Sequence, residues 1–260
     1  MKSSLPWDAG TPPFQATPVL QRVYILGVRV DAIRFDQVLS CIQEFIAFGR
    51  PHQIVTVNPE FVMIARKNAE FRRIINGAAL ALPDGVGVCW ASRWLGQPLP
   101  QRVPGVDLVV RLAALAAAKR YRLYLLGAMP GVAERAASVL LAHYPDLQVV
   151  GTFAGSPRPE HEQDIIARVR AARPDILLVA YGAPAQDFWI DRNKERLGVP
   201  VCIGVGGSFD YIAGVRPLAP GCLRQLGLEW LFRLITQPWR WRRMLALPRF
   251  VWLVFWSRWL

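Results

Sequence analysis

Leu80-Ala81-Leu82-Pro83-Asp84-Gly85-Val86-Gly87 is the stretch on which the reading of this chain turns. A short apolar run stops at Pro83, one acid follows, and two glycines open the next segment. Four consecutive apolar residues bounded by turn formers read as a buried strand. Gly85 and Gly87 let the backbone turn sharply or come close to a ligand. An acid directly after such a strand stands at the mouth of an α/β sheet, where open sheets bind their ligands. Asp84 is therefore the candidate catalytic base. Taken alone, Pro-Asp-Gly also describes a turn or a helix N-cap, so its neighbours must carry the argument.

Upstream, residues 22–28 read as a strand and residues 35–48 as a helix, with Val38, Ile42, Phe45 and Ile46 on one face. Gln53-Ile-Val-Thr-Val-Asn58 is the next strand, and residues 60–76 carry Phe61, Ile64, Ala65, Phe71 and Ile75 inward as one helix. Downstream, a short helix over 85–95 and a loop around Arg102 precede an Ala/Leu-rich helix from Asp107 to about Lys119. Residues 121–150 form a βαβ unit, a helix follows over about 159–172, and Ile176–Ala180 and Val199–Val205 are further buried strands. Near-continuous apolar strands alternating with helices predict an α/β fold: a Rossmann-like, largely parallel sheet with helices on both faces.

At 260 residues the chain can bury a full core of this kind. Its hydrophobic fraction of 53% is high for a soluble protein and low for one that spans a membrane many times. A net charge of +12 calls for an anionic partner: nucleotide phosphates, nucleic acid or an acidic membrane. Cys41, Cys89, Cys202 and Cys222 form no Cys-x-x-Cys pair, which points to reduced thiols in a cytosolic protein. His52, His143 and His161 are as scattered, so no zinc site is expected. The first residues lack an apolar core of signal-peptide length, and no run of 18 apolar residues follows. Residues 1–20, rich in Pro, Ser and Thr, are expected to be loose; residues 21–221 form the core and residues 222–260 an appendage.

The appendage differs in composition from everything before it. Seven arginines (Arg224, Arg233, Arg240, Arg242, Arg243, Arg249 and Arg258) face one acid, Glu229, and six tryptophans lie among them. Pro238 and Pro248 are expected to cut it into short helices. Arginine interleaved with tryptophan describes a basic, aromatic helical segment that lies in a headgroup layer, indoles at the interface and cations on anionic lipid. Such a segment also suits RNA, but Leu245, Leu247, Phe250, Val251, Leu253, Val254 and Phe255 make it too apolar for nucleic acid. A C-terminal helix docked on the core is compatible with part of it.

Four strand ends present polar groups: Thr56 with Asn58, Asp84, Gln186, and Gly206-Gly207 with Asp210. In an open parallel sheet these ends converge on one crevice. Each alone has an ordinary structural reading as a turn former or cap; together, beside Arg102, they outline a pocket. Gly204-Val-Gly-Gly207 resembles a phosphate cradle without the full dinucleotide spacing. No Asp-x-Asp occurs, so a leaving diphosphate would be met by arginines and backbone amides, with no metal and no other cofactor expected.

In this order the pieces resemble the WecG/TagA/CpsF type of bacterial glycosyltransferase, which includes teichoic-acid N-acetylmannosamine and enterobacterial common antigen N-acetylmannosaminuronic acid transferases. The likeness is carried by Thr56-Val-Asn58-Pro-Glu60, Pro83-Asp84-Gly85-Val-Gly87, Arg102-Val-Pro-Gly105-Val-Asp107, Gly127-Ala-Met-Pro-Gly131, Gly182-Ala-Pro-Ala-Gln186-Asp187-Phe-Trp189, and Gly204-Val-Gly-Gly-Ser-Phe-Asp210-Tyr-Ile-Ala-Gly214. It runs from about residue 22 to about 245. The resemblance implies inverting, metal-independent transfer of a hexose or N-acetylhexosamine from a UDP-sugar to an undecaprenyl-diphosphate-linked saccharide. The place implied is the cytoplasmic face of the bacterial inner membrane. It also implies roles: Asp84 as base, Thr56, Asn58, Arg102 and Gln186 around the sugar, and Asp210 near the nucleotide. Arg233, Arg240 and Arg243 fall where the family closes arginines over the diphosphate. Where the family commonly has a basic residue before the glutamine and a glutamate after it, this chain has Ala185 and Asp187. Two other classes stay open. A nicotinamide-dependent oxidoreductase would need a full Gly-x-Gly-x-x-Gly after the first strand, which is absent, and a non-catalytic basic module would not need polar groups at four strand ends.

Overall fold

The computed structural model describes residues 20–238 and 241–257, with Gln225, Arg242 and Arg243 described by their backbone alone. The expected loose segment 1–20 lies, but for Leu20, outside these residues, as does Arg240 and the side chain of Arg243. The chain begins with two short strands, β1 (Arg22–Ile25) and β2 (Val28–Asp31), then α1 (Phe35–Phe48), β3 (His52–Val57), α2 (Pro59–Lys67), α3 (Ala69–Gly77) and β4 (Leu80–Pro83). It continues through α4 (Val86–Trp94), α5 (Gly105–Lys119), β5 (Arg122–Gly127), α6 (Val132–His143), β6 (Gln148–Phe153) and α7 (Glu162–Ala172). Then come β7 (Ile176–Ala180), α8 (Ala185–Leu197), β8 (Val201–Gly204) and α9 (Ser208–Ile212). Four helices end it: α10 (Gly221–Gln225), α11 (Glu229–Thr236), α12 (Trp241–Met244) and α13 (Ala246–Ser257).

Six strands form one parallel sheet in the order β4-β3-β8-β7-β5-β6. The period-two alternation of side chains sends Ile54, Leu80, Leu82, Leu123, Leu125, Ile176, Leu178 and Ile203 to one face, packed by α1, α5 and α6. Val55, Val57 and Ala81 go to the other, under α2, α3 and α4, while Leu126, Leu177, Val179 and Cys202 meet α7 and α8. Both faces are covered, which is why the strands read as unbroken apolar runs. The chain lays β3 and β4 outward, moves across to β5 and β6, and fills the gap with β7 and β8. The direction of winding thus reverses beside β3 and β8, and the carboxyl ends there open a crevice.

Four local expectations change. Residues 22–28 are a hairpin rather than one strand, because Leu26 and Gly27 both take positive φ and turn the chain back. The hairpin carries a buried ion pair, Arg29 Nε to Asp31 Oδ1 at 2.7 Å, whose Asp31 Oδ2 accepts from the edge-strand amide of Ala81 at 2.8 Å. Residues 60–76 are two helices, since Asn68 leaves helical geometry and caps α3 by accepting from the Phe71 amide at 2.9 Å. Gly85 and Gly87 serve a protein neighbour: a Cβ at either would come within 2.9 Å and 2.6 Å of the Pro59 ring. Pro238 does follow the end of α11, but Pro248 lies inside α13, in its first turn, where no backbone N–H is needed.

Part of the segment expected to be an appendage packs into the hydrophobic core. Phe250 and Val254 of α13 are fully buried in the cluster that holds Phe61, Val62 and Val88, and Phe255 stacks on Trp94 at 5.1 Å. The outward face of α13 shows Val251, Trp252 and Trp256 to solvent; Trp230, Ile235 and Trp241 of the preceding helices, and Leu245 of the turn before α13, are exposed as well. No described helix is long and apolar enough to cross a membrane.

Candidate active site

A cleft of about 280 Å³ opens where β3, β4, β7 and β8 end, and its walls include Thr56, Asn58, Asp84, Gln186, Gly206, Gly207 and Asp210. The four polar strand ends read from the sequence therefore share one cavity. Asp84 leaves β4 at Pro83, and its Oδ1 accepts from the Gly105 amide, the first of α5, at 3.1 Å. It does not cap α4, whose N-cap is Gly85. Protein surrounds the carboxyl except toward the cleft. Its pKa stands raised, at about 6: burial and Glu229 push it up, and Arg233, the Gly105 amide and Arg102 hold it back. The result is a group ionised at neutral pH that still binds a proton well, which is what a general base requires.

Thr56 donates to the Gly204 carbonyl at 3.2 Å, tying β3 to β8 at the cleft floor. Asn58 caps α2 by accepting from the Phe61 amide at 3.1 Å, a bond that uses its oxygen and not its amide nitrogen. Gln186, 1% exposed, accepts from the Gly206 amide at 2.9 Å. The glycine-rich turn thus spends this amide on a side chain, and Gly206, at φ 56°, sits where glycine is favoured. Asp210, at the cleft wall, faces Arg216 with Oδ1 and Nε 3.8 Å apart.

Arg102 is the exception among the core residues. It does not line the cleft; its Nη1 reaches Glu229 of α11 at 3.3 Å. Arg233 does line it, paired with Glu229 and lying over the Tyr211 ring at 5.1 Å. Arg240 and the Arg243 side chain, outside the described residues, have no place in this account. Sequence reasoning missed Arg216, Tyr211 and Glu229. Nothing local marks Arg216, whereas Glu229, as the lone acid among seven arginines, carried a signal in the composition.

Among the described residues no three His, Cys, Asp or Glu side chains group closely enough to hold a metal ion. A second groove, of about 440 Å³, lies between α2 and α13, where Met63, Ile64, Leu245 and Ala246 share the lining with Glu60, Lys67, Asn68 and Arg249. The cleft at the strand ends is the one that gathers the polar residues singled out in the sequence.

Comparison with known proteins gives the family. The pattern of the family described as "Glycosyl transferase WecG/TagA/CpsF family" matches residues 23–260. The chain belongs to this glycosyl transferase family. It is 35% identical over 198 residues to an N-acetylglucosaminyldiphosphoundecaprenol N-acetyl-beta-D-mannosaminyltransferase of Bacillus spizizenii, covering 76% of each chain. It is 32% identical over 232 residues to the enzyme of that name from Staphylococcus aureus, covering 88% of this chain and 91% of that one. Within the WecG/TagA/CpsF family, then, this chain has the six-stranded parallel sheet and the cleft just described.

Proposed function

We propose that this glycosyltransferase moves an N-acetylhexosamine, N-acetylmannosamine in the first instance, or a related hexose, from a UDP-sugar to an undecaprenyl-diphosphate-linked saccharide. The transfer is inverting, needs no metal ion, and takes place at the cytoplasmic face of a bacterial inner membrane. The names of the Bacillus and Staphylococcus relatives support the acceptor and the sugar. The observation that carries the reading is Asp84: one carboxyl at the sheet mouth, enclosed, tuned to about 6, in the field of Arg233 and Arg102.

In this reading the acceptor hydroxyl gives its proton to Asp84 as its oxygen attacks the anomeric carbon. The bond from that carbon to the diphosphate oxygen breaks on the opposite face, and UDP departs with the electron pair. Arg233 meets the growing negative charge with a planar fork suited to phosphate oxygens. Gln186, Thr56 and Asn58 hold the sugar, with Asp210 nearer the nucleotide. The exposed aromatic face of α11 to α13 seats the enzyme where a lipid-linked acceptor is found.

Asp84→Asn should lower turnover roughly 100-fold or more, read as UDP release and glycosylated product from UDP-N-acetylmannosamine and a short-chain polyprenyl-diphosphate N-acetylglucosamine. Near-normal turnover would remove Asp84 from the chemistry. Loss of wild-type activity in a chelator, restored by a divalent ion, would overturn the metal-free mechanism.

A further inference from the structure

Resting on that reading, we propose that Glu229 is a positioning residue: its carboxylate clamps Arg102 of the core to Arg233 of the appendage, and so sets where two cations stand relative to Asp84. Glu229 is the one acid between Cys222 and Leu260, among seven arginines. A segment that only had to meet anionic lipid or diphosphate would gain nothing from it. Its two oxygens are divided between two partners: Oε2 takes Arg102 Nη1 at 3.3 Å, and Oε1 takes Nη2 of Arg233 one helical turn on. Its side chain is 13% exposed, against 22% for Arg102 and 31% for Arg233, so the pairing is shielded from full solvent screening. Tyr211 holds the other side of the Arg233 guanidinium, leaving that group fixed between a ring and a carboxylate at the cleft wall.

Attachment alone does not require this arrangement. Arg224 of α10 pairs with Asp107 of α5, and Phe250 and Val254 bury α13 in the core. Neither Arg224 nor Asp107 lines the cleft. The segment therefore has anchors that leave the site untouched, and among the described residues Glu229 is the anchor whose partners bear on Asp84.

The groups facing Asp84 are Arg102, the Gly105 amide of α5, the Cys89 thiol of α4, and Glu229 and Arg233 of α11. The two arginines and the amide favour the ionised carboxylate; Glu229 opposes it. Without the Glu229 charge two uncompensated cations remain beside Asp84, and the base weakens. Glu229→Gln should then lower kcat by roughly threefold to tenfold without raising the KM of an anionic donor, and move the acid limb of the kcat profile down by about one pH unit. Structural damage alone would lower activity without moving that limb.

The decisive experiment is a carbon-13 NMR titration of the Asp84 carboxyl in the full-length wild type, Glu229→Gln and Glu229→Asp proteins. Ionisation at lower pH in Glu229→Gln, brought back toward the wild type in Glu229→Asp, supports the clamp. An unchanged Asp84 titration in Glu229→Gln overturns it. The titration needs no turnover, so it separates this idea from the one beneath it. Should Asp84→Asn stay active while Asp84 still shifts in Glu229→Gln, the assignment of the base fails and the clamp on its carboxyl stands.

Discussion

Replacing Asp187 by Asn should abolish a pH dependence of stability that the fold places on that one carboxyl. Asp187 follows Gln186 on α8 and is fully buried, and among the described residues neither oxygen has a well-formed hydrogen bond. Burial pushes it from 3.8 up to about 8, against the pull of the adjacent Gln186 side chain and its own backbone. In the unfolded chain the group has lost its proton by pH 5, whereas the folded protein keeps it until near pH 8. Between these values folding takes up a proton, so this group's contribution to stability is full below about pH 4 and falls as pH rises. The slope is about 1.4 kcal/mol per pH unit, and the whole window is worth on the order of 5 kcal/mol. Above pH 8 the loss levels off. Urea unfolding of wild type and Asp187→Asn at pH 4.5, 6, 7.5 and 9, taken as a difference, cancels the other titrating groups. The variant should gain on the wild type steadily up to about pH 8, with any constant offset reporting the exchange of carboxyl for amide. Parallel stability curves across the range would refute the reasoning, because they would mean that Asp187 ionises alike in both states.

Two further changes probe the site and the appendage. A Cβ on Gly204 would stand 2.6 Å from Gln186 Nε2 and 2.8 Å from Asp187 Oδ1, so Gly204→Ala should push Gln186 off the Gly206 amide. The expected result is a donor KM raised about tenfold, with ~1–3 kcal/mol of stability lost to overpacking; an unmoved KM would detach Gln186 from the donor. Trp252 and Trp256, 62% and 48% exposed, present the outer face of α13. Glutamate at both positions should abolish co-sedimentation with anionic phospholipid vesicles while leaving the melting temperature within a few degrees. Undiminished sedimentation would move membrane attachment elsewhere. Deleting residues 222–260 is a poorer test, since it strips Phe250 and Val254 from the core.

How much of this was legible depended on the range of the interaction. Parallel strands buried on both faces announce themselves as apolar runs, and the polar residue that ends each run marks the crevice; hence Thr56, Asn58, Asp84, Gln186 and Gly206 were visible before the fold was. The hairpin was not, because Leu26-Gly27 is a weak turn signal beside Asn-Gly. Nor was the break at Asn68, since the apolar periodicity of Phe61 and Ile64 carries across it to Phe71 and Ile75. Helix α13 could not be assigned by pattern. It is apolar on its inner face, at Phe250 and Val254, and on its outer face, at Val251, Trp252 and Trp256, so periodicity does not distinguish core from membrane. The contact of Arg102 with Glu229 was hidden for another reason: the two lie 127 positions apart, and no spacing rule reaches that far.

The two carboxyls at the sheet mouth show why composition and spacing stop short of chemistry. Asp84 and Asp187 both lie close to strand ends and burial raises both, although Asp187 is fully buried and Asp84 keeps an opening to the cleft. They differ in company. Arg233 and Arg102 bring Asp84 back to about 6, so that it is charged at neutral pH and still able to take a proton. Asp187 has no cation among the groups that tune it and stays protonated to about 8. A base needs the first environment and is silenced by the second. In this protein much of the difference comes from an arginine more than a hundred residues downstream, carried on a segment whose composition suggested chiefly a membrane surface.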